Sequence, residues 1–207
     1  MAEQIGTYHL SDNPQLYEIQ RANCFEFLIH DAESLLQAGV DETDADETDY
    51  LTGNQETVRL SVVSFDVPHF SQEEIEIRRG NSRMYAAGVP SFDAGTLEVN
   101  DYIGAGTKSV LLAWQRLSYD VTSEKVGRMG DWTDASGVVH QGYKKNCELI
   151  EYTPDFTQVV RTWDLVGCWV RELREGKYDM NDGGKKIVSA TIRFDRAIPH
   201  LPQEAQD

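Results

Sequence analysis

The residues of this chain that could do chemistry are five histidines, three cysteines and thirty-five aspartates and glutamates. Chemistry also needs spacing, and none of them has it. His9, His30, His69, His140 and His200 are scattered, with no pair at the separation a metal site uses. Cys24, Cys147 and Cys168 never form a C-x-x-C pair; each sits in an apolar or alternating run, the setting of a buried free thiol in a reducing compartment. That places folding in a cytoplasm. There is no phosphate-binding loop, "GAG" at 104–106 is too short for a dinucleotide turn, and no serine lies in a G-x-S-x-G context. Acids are numerous enough for two to stand at glycosidase separation, but abundance is not a signature. The chain reads as a scaffold without cofactor rather than as an enzyme.

The densest acidic stretch is "DETDADETD", in which Asp41, Glu42, Asp44, Asp46, Glu47 and Asp49 supply six acids in nine residues with no base. Such a run cannot bury itself and is expected to be a solvated loop. A calcium loop is the sharper alternative, but the glycine and closing glutamate of that spacing are missing. Over 207 residues the formal charge is −16. An acidic surface keeps a protein soluble, and it disfavours adhesion to nucleic acid, which needs Lys and Arg to displace counterions. No apolar run approaches the ~20 residues of a membrane span. The start of the sequence shows neither the basic nor the apolar segment of a secretory signal.

Hydrophobic periodicity supplies the elements that would position these residues. Residues 1–22 read as a polar amino-terminal arm. "NCFEFLI" (23–29) puts Phe25, Phe27 and Ile29 on one face of a strand. Residues 30–57 depart from the rest of the chain, and in them "DAESLLQAG" could make two helical turns ended by Gly39. "TVRLSVVSF" (57–65) reads as a second strand, stopped by Pro68. "EEIEIRR" (73–79) alternates, with Ile75 and Ile77 expected inward and Glu74, Glu76 and Arg78 outward. "GTLEVND" is a short strand. In "KSVLLAWQRLSYD" (108–120) the period changes, and Val110, Ala113, Trp114 and Leu117 mark the one amphipathic helix. "DASG" (134–137) reads as a turn and "KKNCELIEY" as a strand with Cys147 and Leu149 on one face. "TQVVRTWDLVGCWV" is a long strand and "KIVSATIRFD" the last one; "RAIPHLPQEAQD" is read as a loose tail. About seven strands with short links and one flanking helix make a mainly β chain, an antiparallel sandwich or barrel. It forms one domain over 23–198, followed by a tail at 199–207.

Within the long strand, "RTWDLVGCWV" (161–170) places Trp163, Leu165 and Trp169 on one side of a strict alternation. These three are expected to face the core against the helix that carries Trp114, each buried aromatic contributing roughly 2–3 kcal/mol. Gly167 would allow a bulge or a close backbone approach, and Asp164 would point away.

The order of these segments resembles the tail tube protein family of contractile-tailed bacteriophages. "NCFEF" is similar to that family's opening strand. "LSVVSFDVP" (60–68) followed by "EEIEIRRGNSRMYAAG" (73–88) resembles its apolar strand, proline and basic, glycine-bearing strand and turn. "FDAGTLEVND" (92–101) looks like its Phe-led strand closing on an acid, "LLAWQ" (111–115) its Trp-bearing helix, and "YKKNCELIEYTPD" (143–155) its Tyr-Lys strand opening. "GCW" (167–169) and "ATIRFD" (190–195) look like its Gly-x-Trp and closing strand. The resemblance covers residues 23–195 apart from two stretches. It departs at Val170, where the family often has proline, and at the 30–57 insertion.

What the resemblance implies is a ring-forming fold: homohexameric rings stacked into the tube of a contractile tail. The tube would lie within a sheath, between baseplate and terminator proteins, as part of a virion assembled in the host cytoplasm. DNA would pass through it without specific binding, and no membrane would be involved. The acidic run at 41–49 would line the lumen or reach the next ring. A tube of a secretion or bacteriocin system, a tube initiator, and a monomeric small-ligand β-barrel remain as alternatives.

Overall fold

A computed structural model describes residues 19–30, 35, 54–103, 106–180 and 183–200. The acidic residues Asp41, Glu42, Asp44, Asp46, Glu47 and Asp49, most of the amino-terminal arm, and residues 201–207 lie outside the described residues.

The chain is mainly β, built on one antiparallel sheet. Strand β1 (Phe25–Ile29) pairs with β10 (Lys145–Tyr152), which pairs with the long β11 (Val159–Arg174). The second half of β11 pairs with β12 (Ile187–Arg193), then come β5 (Gly95–Asn100) and the edge strand β2 (Val62–Phe65). Strand β13 (Arg196–His200) lies along the first half of β11, opposite β10. Residues expected to be loose therefore form a strand, which runs two residues past the domain boundary read at 198. Its polar sequence hid it because only Ala197 turns inward.

The sheet folds over a single core made by Phe27, Ile29, Leu149 and Leu165 from one half and Leu97, Val99, Val170, Val188 and Ile192 from the other. Helix α2 (Thr107–Ser118) closes it with Val110, Leu111 and Trp114. The two ends of the sheet meet through Phe27 and Phe65, whose rings are 4.5 Å apart. No ladder joins β1 to β2, so among the described strands a single copy is a folded-over sheet and not the closed barrel that was one expectation.

A second correction falls at 57–65. Residues Asn54–Ser61 form a helix, α1, and only Val62–Phe65 is strand. Val58 and Ser61, three apart, are buried while Arg59 and Leu60 are exposed, a helical period that the flanking apolar residues disguise. Ser61 Oγ meets Thr107 Oγ1 at 2.8 Å, tying α1 to the start of α2.

Candidate assembly surface

The reading of 73–79 changes most. Among the described residues, strand β3 (Phe70–Arg79) and β4 (Ser82–Phe92) pair only with each other and project from the core as a hairpin. Its turn is Gly80–Asn81, with Gly80 at φ 58, the left-handed geometry that a two-residue hairpin loop requires. Ser82 Oγ donates to the Arg79 carbonyl at 2.9 Å across that turn. Near the base, Gly88 lets the backbone pass Glu73 at a bulge, where a Cβ would meet the Glu73 carbonyl.

The register sorts the hairpin into two faces. Ile75 opposes Ala86 and Ile77 opposes Met84, which makes one face apolar. Glu76 opposes Tyr85 and Arg78 opposes Arg83 on the other. There Glu76 Oε1 accepts from Arg78 Nε at 3.1 Å and lies 3.3 Å from Arg83 Nε. The alternation expected for 73–79 is present, but Ile75 and Ile77 do not point into a core. They are 52% and 42% exposed, and Met84 is 54% exposed. Glu73, Glu74 and Glu76 are balanced by Arg78, Arg79 and Arg83, so the hairpin carries no net charge in a chain of −16. Its tip is basic.

An isolated two-stranded ribbon with a bare apolar face is marginal in water. Open edges add to the problem. Among the described residues, strands β1, β2 and β13 each pair on one side only, which leaves an open edge on each. The signal in the sequence was the Gly-Asn pair between two alternating runs, which marks a hairpin; nothing local says whether a core receives it.

The core residues singled out in the sequence are positioned by Gly167. It has φ 71, and the ladder shifts there: Leu165 opposes Cys147 while Cys168 opposes Lys145, so β11 carries one extra residue. Before the bulge Leu165 is fully buried and Trp163 packs on the core edge, its Nε1–H 3.3 Å from Glu151 Oε1. After it, Cys168 and Val170 point inward and Trp169 turns to the opposite face. Trp169 instead meets the Tyr143 ring edge-on, with centroids 6.1 Å apart. The expectation that Trp163, Leu165 and Trp169 share one face is corrected by that single inserted residue. Trp114 is wholly buried, and its indole N–H donates to the Tyr143 carbonyl at 2.8 Å.

Elsewhere the polar groups hold loops together. Four histidines each lie against one carboxylate: His30 by Glu148, His69 by Asp93, His140 by Asp134 and His200 by Asp164. They are spread over the surface, and among the described residues no group of His, Cys, Asp and Glu could hold a metal. Asp134 accepts from His140 and from the Val138 and Ser136 amides, which hold its carboxyl below the usual range. Hydrogen bonds from Thr153 and Thr157 lower Asp155 to about 2. The Cys147 thiol is pushed well up by burial and by Cys168 beside it, so it stays protonated. No described helix is long and apolar enough to cross a membrane.

No family model matches the sequence, and no curated protein matches it. Solved structures do. A chain of the extended sheath–tube complex of the PVC extracellular contractile injection system superposes with a TM-score of 0.58 at 13% identity, over 92% of this chain and 99% of that one. The tube-terminating cap of the anti-feeding prophage gives 0.58 at 12% identity, over 96% and 99%. The PVC sheath/tube terminator gives 0.57 at 14%, over 89% and 98%. At these identities the likeness is one of fold, and the chain has a tail-tube-like β fold shared with chains of contractile injection particles.

Proposed function

We propose that the protein is a structural subunit of a tube, made of identical copies arranged in rings, six to a ring, and stacked into a conduit within a contractile sheath. One observation carries this reading: a hairpin whose apolar face, Ile75, Ile77, Met84 and Ala86, is left open by the described residues of its own chain. A second copy supplies what is missing, covering that face and pairing the open edges of β1, β2 and β13. The fold likeness to chains from sheath–tube and terminator assemblies supports the same reading, and sheath, terminator and baseplate proteins are the partners it implies.

Two particles fit a tube: a phage tail that ejects DNA, and an extracellular injection device. The net charge of −16 favours a conduit past which phosphates slide without adsorbing, which suits the tail of a virion assembled in the host cytoplasm. The fold neighbours, which come from contractile injection particles, favour the injection device. Both make the protein a non-enzymatic component of an extracellular particle. The acidic run at 41–49 is assigned to the lumen or to the next ring; deleting residues 40–52 and following rod length separates the two.

Negative-stain microscopy and sedimentation of the purified chain test the reading. Rings or rods with a central hole, growing with concentration, are the expected result. Monomers at every concentration, with the hairpin present, would overturn it.

A further inference from the structure

Two buried thiols that the assembly reading leaves unused lie side by side in the core. Cys147 on β10 is 2% exposed and Cys168 on β11 is wholly buried. The bulge at Gly167 brings them together. Cys147 opposes Leu165 in the ladder, and Leu165 faces inward. In an unbroken strand the next inward positions would be 167 and 169, and residue 168 would face out. The extra residue resets that count, so Cys168 opposes Lys145 and turns inward on the same face as Cys147. Its thiol leans back along β11 and donates to the Leu165 carbonyl at 3.4 Å. Leu165 is directly across from Cys147, so that lean carries the Cys168 sulfur towards Cys147. Burial and the adjacent Cys168 together push the Cys147 thiol up. The third thiol, Cys24, sits at the far end of β10, where its carbonyl accepts from the Tyr152 amide at 2.9 Å and its Sγ contacts Asn23 Oδ1. The strand from 147 to 152 puts about 17 Å between that end and Cys147.

We propose that Cys147 and Cys168 form a redox modification site: a dithiol where the chain folds, and an intrachain disulfide after transfer to an oxidising medium. The change of medium rests on reading the chain as part of an extracellular particle; the pairing of the two sulfurs does not. The oxidant is a small-molecule disulfide of the glutathione class. One cysteine thiolate attacks it, forming a mixed disulfide and releasing one small thiolate, which takes up a proton. The second cysteine, on losing its own proton, attacks the protein sulfur of that mixed disulfide and displaces the other small thiolate. The protein gives up two electrons and two protons, and the oxidant becomes two thiols. Because the thiolate is the attacking species, a Cys147 kept protonated inside the core reacts only when the site opens. Oxidation is therefore slow, and the chain folds and assembles with both thiols intact. The new bond closes the loop from 147 to 168 around the turn at 153–158 and fixes the bulge that sets the outward position of Trp169. It stabilises the fold by constraining the unfolded chain.

The test exposes the full-length chain to oxidised glutathione, with and without urea below the unfolding transition so that β10 and β11 open, and then alkylates it in full denaturant. Mass spectrometry is expected to show Cys24 alkylated and a peptide pair linked through Cys147 and Cys168. The oxidised chain should unfold about 5–10 °C above the reduced one. Cys24→Ser should keep both results. Cys147→Ala or Cys168→Ala should abolish both; since alanine lowers core stability by itself, the readout is the difference between oxidised and reduced melts of each variant, which falls to zero. All three cysteines alkylated after oxidation in urea overturns the site and leaves a pair that only fills the core. A mixed disulfide that never closes, a link through Cys24, or a linked chain that unfolds before the reduced one overturns it as well. The linked product in a chain that stays monomeric at every concentration upholds the site and overturns the tube reading. Rods whose subunits keep all three thiols through the same treatment do the reverse.

Discussion

The Asp195 carboxylate occupies the space where a side chain at Gly167 would be. Its backbone amide donates to the Val166 carbonyl at 2.9 Å, and Lys144 Nζ holds both its oxygens at 2.8 and 2.6 Å. The Gly167 amide donates to Asn146 Oδ1 at 3.2 Å. The bulge that turns Trp169 outward is therefore clamped by Asn146 on β10 and by Asp195 in the link from β12 to β13, and Gly167 is held at a φ that other residues avoid.

Gly167→Ala is expected to lower stability by about 2–3 kcal/mol, through the positive φ and the collision with Asp195. Thermal unfolding of the monomeric fraction checks this, and Asp195→Ala in the same chain should recover part of the loss.

Trp114→Phe keeps most of the ring volume but removes the donor that satisfies the Tyr143 carbonyl. A loss of about 1–3 kcal/mol is expected from the orphaned acceptor. Trp114→Ala, which leaves a cavity at the centre of the core, should cost about 3–5 kcal/mol. Chemical denaturation of the two variants in parallel separates the hydrogen bond from the packing.

Substituting Ile77 and Met84 by serine on the hairpin should shift monomer stability by less than about 0.5 kcal/mol, because neither touches the core. Assembly should fail in the same variant. Sedimentation alongside thermal melting makes the distinction: lost assembly with an unchanged melt is the expected pair of results.

Acid should loosen the loops at 134–140 and 153–158. The folded pKa values of Asp134 and Asp155 lie below the ordinary aspartate value, and that of Asp155 is about 2. Depressed carboxylates contribute stability that is present above the unfolded value and is lost as pH falls from there through the folded value. The window therefore opens below pH 4 and, for Asp155, closes near pH 2. Asp155 is exposed and Asp134 half-buried, each bonded within its own loop, so the effect is local. Amide hydrogen exchange at Ser136, Val138 and Thr157 should quicken across that window, and Asp134→Asn and Asp155→Asn should remove the dependence at their own loops.

The sequence by itself determined the core strands and the main helix. In β1, β5, β10 and β12 the period-2 pattern survives intact because each strand has one face on the core. The 3.6-residue period of Val110, Ala113 and Trp114 reported α2 for the corresponding reason. The ordered motifs pointed to a tail-tube fold, because strand order is written in the chain even when each motif is weak.

Tertiary structure alone decided the rest. One added residue at Gly167 reverses every inward and outward assignment beyond it, so Trp169 leaves the face of Leu165; a strand's side-chain parity is a running count that any bulge resets. The polar segment 196–200 became a strand because β11 offered it an unpaired edge, which no local pattern announces. Ile75 and Ile77 have the alternation of a buried face and, among the described residues, no core to meet. Local pattern specifies that a surface is apolar, and only the path of the whole chain specifies whether that surface is covered from within or must be covered by another molecule.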